Sequence, residues 1–291
     1  MSEASRNTFF GADPGAEGDV VVIGAPYAHG SSQSGGAARA PATLRALTRG
    51  ERINDGIWDY ATRNRVIDKL RVCDLGDFVF RASMSRTSYR MELEETALTL
   101  AQRGAIPLGL GGDHSITLPL ARGVARAHQQ IQLLQLDAHH DYASIGAATR
   151  PTHANFIGFL ATCPQILRIV QVGVRGYSSL LPIPPELVVE SSIPALEQSL
   201  IAGVPTYLTI DTDAFSPSHA PAVMHPVPGG LCWEDLDRVL AMLAALRCPL
   251  VGVDWTEYVP ELEQHNHPTG LGIVFALVRV LAAIQTQRYG A

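Results

Sequence analysis

Short runs rich in Val, Ile and Leu alternate along the chain with longer amphipathic stretches. The runs predict strands at Asp19–Gly24, Leu70–Cys73, Ile106–Leu110, Ile131–Leu136, Ile169–Val174, Leu187–Val189, Tyr207–Ile210 and Leu250–Val253. The stretches between them predict helices at Pro41–Leu47, Tyr89–Arg103, Ser115–His128, Pro194–Ile201, Trp233–Leu246 and Thr269–Gln285. Strands this apolar suit burial on both sides, so the pattern predicts a mainly parallel sheet with helices on both faces. A closed barrel of eight strand–helix units would alternate similarly; the long, irregular connections put it second.

Polar, Gly/Ser/Ala-rich segments at Gly30–Ala40, Ala143–Thr152 and Ser216–Gly230 are expected to be loops. No repeat and no shift in composition marks a linker. A loose N-terminus over residues 1–15 and one domain over 16–291 are therefore expected.

With 291 residues, 46% of them hydrophobic, the chain has ample material for a large core. The net charge is −6 and the basic residues form no block, so nucleic-acid binding has no electrostatic footprint. Cys73, Cys163, Cys232 and Cys248 are far apart and suggest neither disulfides nor a zinc knuckle. No signal peptide is apparent, and the apolar stretch Leu271–Ile284, broken by Arg279, is too short to span a bilayer. These features point to a cytoplasmic protein that engages no membrane.

The candidate chemistry lies where three of the expected strands end. Asp137, His139 and Asp141 follow one strand, Asp211 and Asp213 follow another, and His114 ends a third. Side chains two apart on an extended strand point the same way, so each set can converge. A carboxylate can bridge two cations, and four carboxylates balance two divalent ions in charge. Six such residues suit a two-metal hydrolytic site. Oxygen-rich ligation with two imidazoles and no thiolate favours Mn(II) over Zn(II), with Fe, Co and Ni left open. Each Asp taken alone could instead cap a following helix. His140, between ligands, is expected to be a packed, hydrogen-bonded histidine, and His265 and His267 to lie in a solvated turn. Asp113 is expected either to orient His114 or to cap the next helix.

With those residues goes a longer set of motifs: Gly24-Ala-Pro26, Asp74-Leu-Gly-Asp77, Gly111-Gly-Asp-His114-Ser115, Asp137-Ala-His139-His-Asp141, Val172-Gly-Val-Arg175, Ile210-Asp211-Thr-Asp213 and Gly252-Val-Asp254-Trp-Thr-Glu257. Together they resemble the ureohydrolase (arginase/agmatinase) family over nearly the whole chain. That resemblance implies a three-layer α/β/α fold with an eight-stranded, mostly parallel sheet and a centre of two Mn(II) ions. It implies His114 and Asp141 on one ion, His139 and Asp213 on the other, and Asp137 and Asp211 bridging. It further implies hydrolysis of a guanidino group to urea and an amine. Glu257 would grip the guanidinium, Asp141 would take a proton, and His153 would shuttle one to the leaving amine. Trimers or hexamers are the assemblies the family suggests.

The chain departs from agmatinase-like members over Ser216–Val227, which borders the substrate tail. Arg150, Asn155 and His225 are the candidate tail contacts; Arg150 would favour an acid such as 4-guanidinobutyrate over agmatine. Two alternatives stay open. One is hydrolysis of a related C–N bond, formimino or amide, on the same fold. The other is a catalytically silent metal-binding scaffold or regulatory subunit.

Overall fold

A computed structural model describes residues 7–30, 36–60, 63–142, 150–176 and 186–290 of the chain. Eleven strands lie among them: β1 (Asp13–Pro14), β2 (Val20–Ala25), β3 (Ile57–Asp59), β4 (Asn64–Val66), β5 (Val72–Asp77), β6 (Ile106–Gly111), β7 (Ile131–Leu136), β8 (Ile166–Val172), β9 (Val188–Ser191), β10 (Thr206–Asp211) and β11 (Leu250–Thr256). The helices are α1 (Ala40–Leu47), α2 (Arg86–Gln102), α3 (Thr117–His128), α4 (Phe156–Leu160), α5 (Leu196–Ser199), α6 (Trp233–Ala245) and α7 (Pro268–Tyr289).

Nine strands form one sheet in the order β1-β5-β2-β6-β11-β10-β7-β8-β9, and every pairing in it is parallel. The barrel alternative is thereby set aside, and eight expected strands become nine. The addition is β1, two residues of edge strand beside β5, too short for its sequence to carry a period. Its neighbours Phe9 and Phe10 are buried, so this part of the segment expected to be loose is packed. The β3–β4 hairpin, also unforeseen, stands apart from the main sheet.

Alternation along the strands feeds two cores. Val20 and Val22 of β2 join the cluster packed by α1, α6 and α7, whereas Val21 and Ile23 join the one packed by α2, α3 and α4. Helices on both faces therefore make three layers, which is why the strands read as unbroken apolar runs. By length and composition α7 is apolar enough to cross a membrane, longer than the sequence suggested. Its Ile273, Leu277, Val280, Leu281 and Ile284 are instead buried in the core.

Candidate metal centre

β6, β11, β10 and β7 are consecutive in the sheet, and because they are parallel their C-terminal ends open on one side. From β7 the chain proceeds outward to β8 and β9, while from β10 it proceeds the other way to β11. The crevice between β7 and β10 is thus a topological switch point, where open parallel sheets bind ligands. His114 follows β6, Asp137, His139 and Asp141 follow β7, Asp211 and Asp213 close β10, and Glu257 follows β11.

Strand alternation does not bring these groups together as expected, because β7 stops at Leu136. Tight turns do it. The carboxylate of Asp137 accepts from the His139 N–H at 2.7 Å, and that of Asp211 from the Asp213 N–H at 2.8 Å. Asp113 accepts from the Ser115 N–H at 3.1 Å and from the Gly30 N–H at 2.7 Å, so it caps the turn that starts at His114. Each Asp fastens its own backbone two residues on, a habit of short carboxylates at turns. Gly112 precedes this turn because a Cβ there would collide with the Tyr27 backbone. Asp141 and Glu257 both adopt left-handed φ values, 43° and 60°. Such conformations in side chains with a Cβ are held by their surroundings and recur at functional sites.

The structure gathers five of the six expected ligands into two groups that share Asp137: His114, Asp137 and Asp141, and Asp137, His139 and Asp213; the sixth, Asp211, stands beside the first group. His114 Nδ1 lies 3.1 Å from an oxygen of Asp137, 3.1 Å from one of Asp141 and 3.2 Å from one of Asp211. His139 Nδ1 lies 3.0 Å from Asp213.

A second set of contacts fixes which His114 nitrogen faces this cluster. Its Nε2 is 2.9 Å from Thr209 Oγ1, and that hydroxyl donates to Asp254 at 2.6 Å. Thr209 has one proton and spends it on Asp254, so it accepts from Nε2–H and leaves the lone pair on Nδ1. Nδ1 is buried and makes no hydrogen bond of acceptable geometry, though three carboxylate oxygens surround it. A lone pair facing carboxylate oxygens calls for a cation. Divalent metal ions fit this donor set of hard oxygens and imidazoles.

The protein's own charges strain against one another here. Burial and the charges of Asp213 and Asp137 hold Asp211 well above the ordinary carboxylate range. Burial and Asp137 push Asp141 up to about 7. Burial alone would lower His114, yet its contacts with Asp137, Asp141 and Asp211 raise it well above the usual imidazole value. His139, beside Asp137 and Asp213, is pushed up to about 11. Like charges crowded in a dry site make some groups hold protons that a cation would displace.

A pocket of about 550 Å³ opens over the cluster, with His153, Glu190, His225 and Glu257 among its walls. Glu257 accepts from the His114 N–H at 2.8 Å, and His153 Nδ1 lies 3.6 Å from its carboxylate. Burial, with Asp113 nearby, pushes Glu257 up to about 8; burial and the charge of His114 press His153 down to about 4. His140 is hydrogen-bonded as expected, its Nδ1 accepting from the Tyr142 N–H at 3.0 Å. Arg150 stands elsewhere: it lines a separate cleft with Arg86, Arg90 and Arg122, not the metal pocket. Asn155 spends its amide on the Thr152 N–H and the Arg150 carbonyl and does not line the pocket either. The local chain turns back at Asn155, and sequence spacing does not reveal that path.

Sequence reasoning missed the supporting residues. Gln135 donates to Asp137 at 2.6 Å and Gln171 to Gln135 at 2.6 Å, a buried amide chain inside β7 and β8. Phe156 packs its ring 4.6 Å from that of His114. Arg175 is caged by backbone carbonyls, among them Asp213 at 2.8 Å and Val227 at 3.0 Å. A polar residue inside an otherwise apolar run is the one signal that could have flagged Gln135, Gln171 and Thr209.

Comparison with known proteins bears on this geometry. The chain is 32% identical over 270 residues to an agmatinase of Neisseria meningitidis, covering 89% of this chain and 85% of that one. A hypothetical agmatinase from Burkholderia thailandensis, solved by crystallography, superposes with a TM-score of 0.83 at 26% identity, over 98% of this chain and 92% of that one. Formimidoylglutamase from Bacillus subtilis shares the fold, with a TM-score of 0.77 at 20% identity over 99% and 95% of the two chains. The sequence pattern of the arginase family matches residues 18–281, and the chain belongs to that family.

Proposed function

We propose that this chain is a binuclear manganese hydrolase that cleaves a guanidino group to urea and an amine. The observation that carries the proposal is the pair of ligand groups sharing Asp137, with Glu257 and His153 beside them in one pocket. Relatives named agmatinase, an amidinohydrolase, support the reaction class. His114, Asp137, His139, Asp141, Asp211 and Asp213 would hold two divalent ions, which supply Lewis acidity and an activated water at neutral pH.

The remaining steps fall to the chain's own groups. Glu257 pairs with the guanidinium, and that cation favours its ionised form. The pairing fixes the guanidino carbon over the cluster. Asp141 accepts a proton from the attacking water as its oxygen bonds to that carbon. The C–N bond then breaks, and His153 passes a proton to the departing nitrogen. At neutral pH His153 is neutral, so it relays the proton rather than storing it.

Glu190 extends the proposal to the substrate tail. It lines the pocket and has no ion-pair partner among the described residues. With Arg150 outside the pocket and the Arg175 guanidinium turned onto backbone carbonyls, the Glu190 carboxylate supports an amine-tailed guanidine such as agmatine over a guanidino acid. The test is urea release by manganese-loaded protein from agmatine, 4-guanidinobutyrate and an uncharged alkylguanidine. Agmatine is expected to be preferred, and Glu190→Gln to narrow that preference. No urea from any of the three would overturn the function.

A second reading, cleavage of a formimino or amide bond, draws on Val223, Met224 and His225, which form pocket wall in the segment that departs from agmatinase-like members. Formamide or a carboxylate in place of urea would support it.

A further inference from the structure

A second cleft among the described residues, rich in arginine, has a volume of about 630 Å³ and is lined by Arg86, Arg90, Arg122 and Arg150. Glu94 is the single acidic residue of its lining, and it is already engaged by Arg122 at 3.5 Å and Arg126 at 3.1 Å. Arg86, Arg90 and Arg150 have no carboxylate within ion-pair distance among the described residues. In a chain of net charge −6, three guanidiniums without an ion pair among the described residues of one cleft are a local excess of positive charge.

The helix beneath them makes the excess worse. Arg86 opens α2 directly after its Ser85 cap, and the first turn carries no acidic residue. The N-terminus of a helix is its positive end, so cations there are unfavourable and anions favourable. Burial, together with the charges of Arg86 and Arg150, holds the Arg90 guanidinium below its ordinary value. Guanidinium forks match the geometry of carboxylate and phosphate, while Met91, Leu118, Pro119 and Phe159 give the same cleft an apolar wall.

We propose that this cleft binds a small organic anion: a carboxylate or phosphate carried on an apolar body. Two features connect such a ligand to the metal pocket. Arg150 begins the turn that Asn155 closes, through bonds to the Arg150 carbonyl at 3.1 Å and the Thr152 N–H at 2.7 Å, and His153 rides on that turn. Phe159 of α4 lines the cleft, while Phe156 of the same helix lies against His114. An anion that clamps Arg150 therefore steadies the segment presenting His153. Neither binding nor this steadying depends on which bond the protein hydrolyses.

Calorimetry on manganese-loaded protein with phenyl phosphate, benzoate and inorganic phosphate tests the site. Saturable binding of an organic anion, tighter than inorganic phosphate and weakened by salt, is expected; whichever probe binds better identifies the headgroup. Arg86→Ala with Arg90→Ala should weaken it roughly 100-fold, two charge-assisted contacts being lost. Turnover without anion should stay unchanged. If that double variant fails to fold, Arg150→Gln takes its place. Amides of the 152–155 turn should exchange more slowly with the anion bound. Absence of saturable binding would overturn the proposal, as would binding that survives the arginine substitutions and so belongs to the metal centre. So would self-association that those substitutions abolish, since an acidic face of a second copy would then fill the cleft. Unchanged exchange over 152–155 would overturn the steadying.

Discussion

Thr209 is a short side chain in the interior of β10, and its hydroxyl ties His114 to Asp254, which Thr117 and Tyr207 also contact at 3.0 and 2.6 Å. Outer contacts of this kind fix the tautomer and aim of a metal-binding imidazole. Thr209→Val should therefore weaken metal affinity by about 10–100-fold while Thr209→Ser keeps it, measured by competition with a chelator. Equal affinity in both variants would show that His114 needs no such anchor. His153→Ala should hold both ions and slow turnover by about 10²–10⁴, checked by metal analysis beside steady-state rates. Loss of metal in that variant would place His153 among the ligands instead. At this scale the charged residues were legible in the sequence and their supports were not. Asp137 and His139 announce themselves by chemical type, whereas Thr209 in Tyr-Leu-Thr-Ile looks like any β-branched strand residue. Arg150 misled for a related reason: its distance along the chain from Asp141 and His153 says nothing about which cleft it faces.

Helices and strands were legible wherever burial imposed a period. β7 spans the expected Ile131–Leu136, and α6 covers nearly the expected segment, because one face of each must pack. The failures are elements too short to show a period: β1, the β3–β4 hairpin and five-residue α4. Tertiary contacts, not local propensity, make them. Phe156 and Leu160 of α4 are fully buried, and the Ile157 N–H reaches the Asp141 carbonyl at 3.2 Å. Replacing Phe156 by Ala should cost about 3–5 kcal/mol in denaturant unfolding, as large-to-small core changes do. It should also lower metal affinity, since Phe156 packs against His114. A stability loss with unchanged metal binding would mean that α4 supports the core alone.

For the molecule as a whole, the cluster links metal, protons and stability. Asp141 at about 7 and His139 at about 11 keep protons at neutral pH that ligation must displace. Manganese binding should thus release protons and tighten as pH rises from 6 to 8. Calorimetry in two buffers of different ionisation enthalpy reads that release directly. The sign for folding runs the other way. A carboxylate raised in the folded state binds more protons there than when unfolded, so metal-free protein should lose stability as pH climbs through about 7. A melting temperature of chelated protein that rises over this range would contradict the assignment of Asp141. The sheet order carries a consequence for the folding route as well. His114 and Glu257, joined across 143 positions of chain by a hydrogen bond from the His114 N–H to the Glu257 carboxylate, meet only after β11 has slotted between β6 and β10. A partly folded chain still missing β11 lacks the strand that sets His114 beside the ligands of β7 and β10. During refolding the group of His114, Asp137 and Asp141 should then be completed only at closure of the sheet, whereas Asp137, His139 and Asp213, carried by neighbouring strands, can meet before β11 arrives.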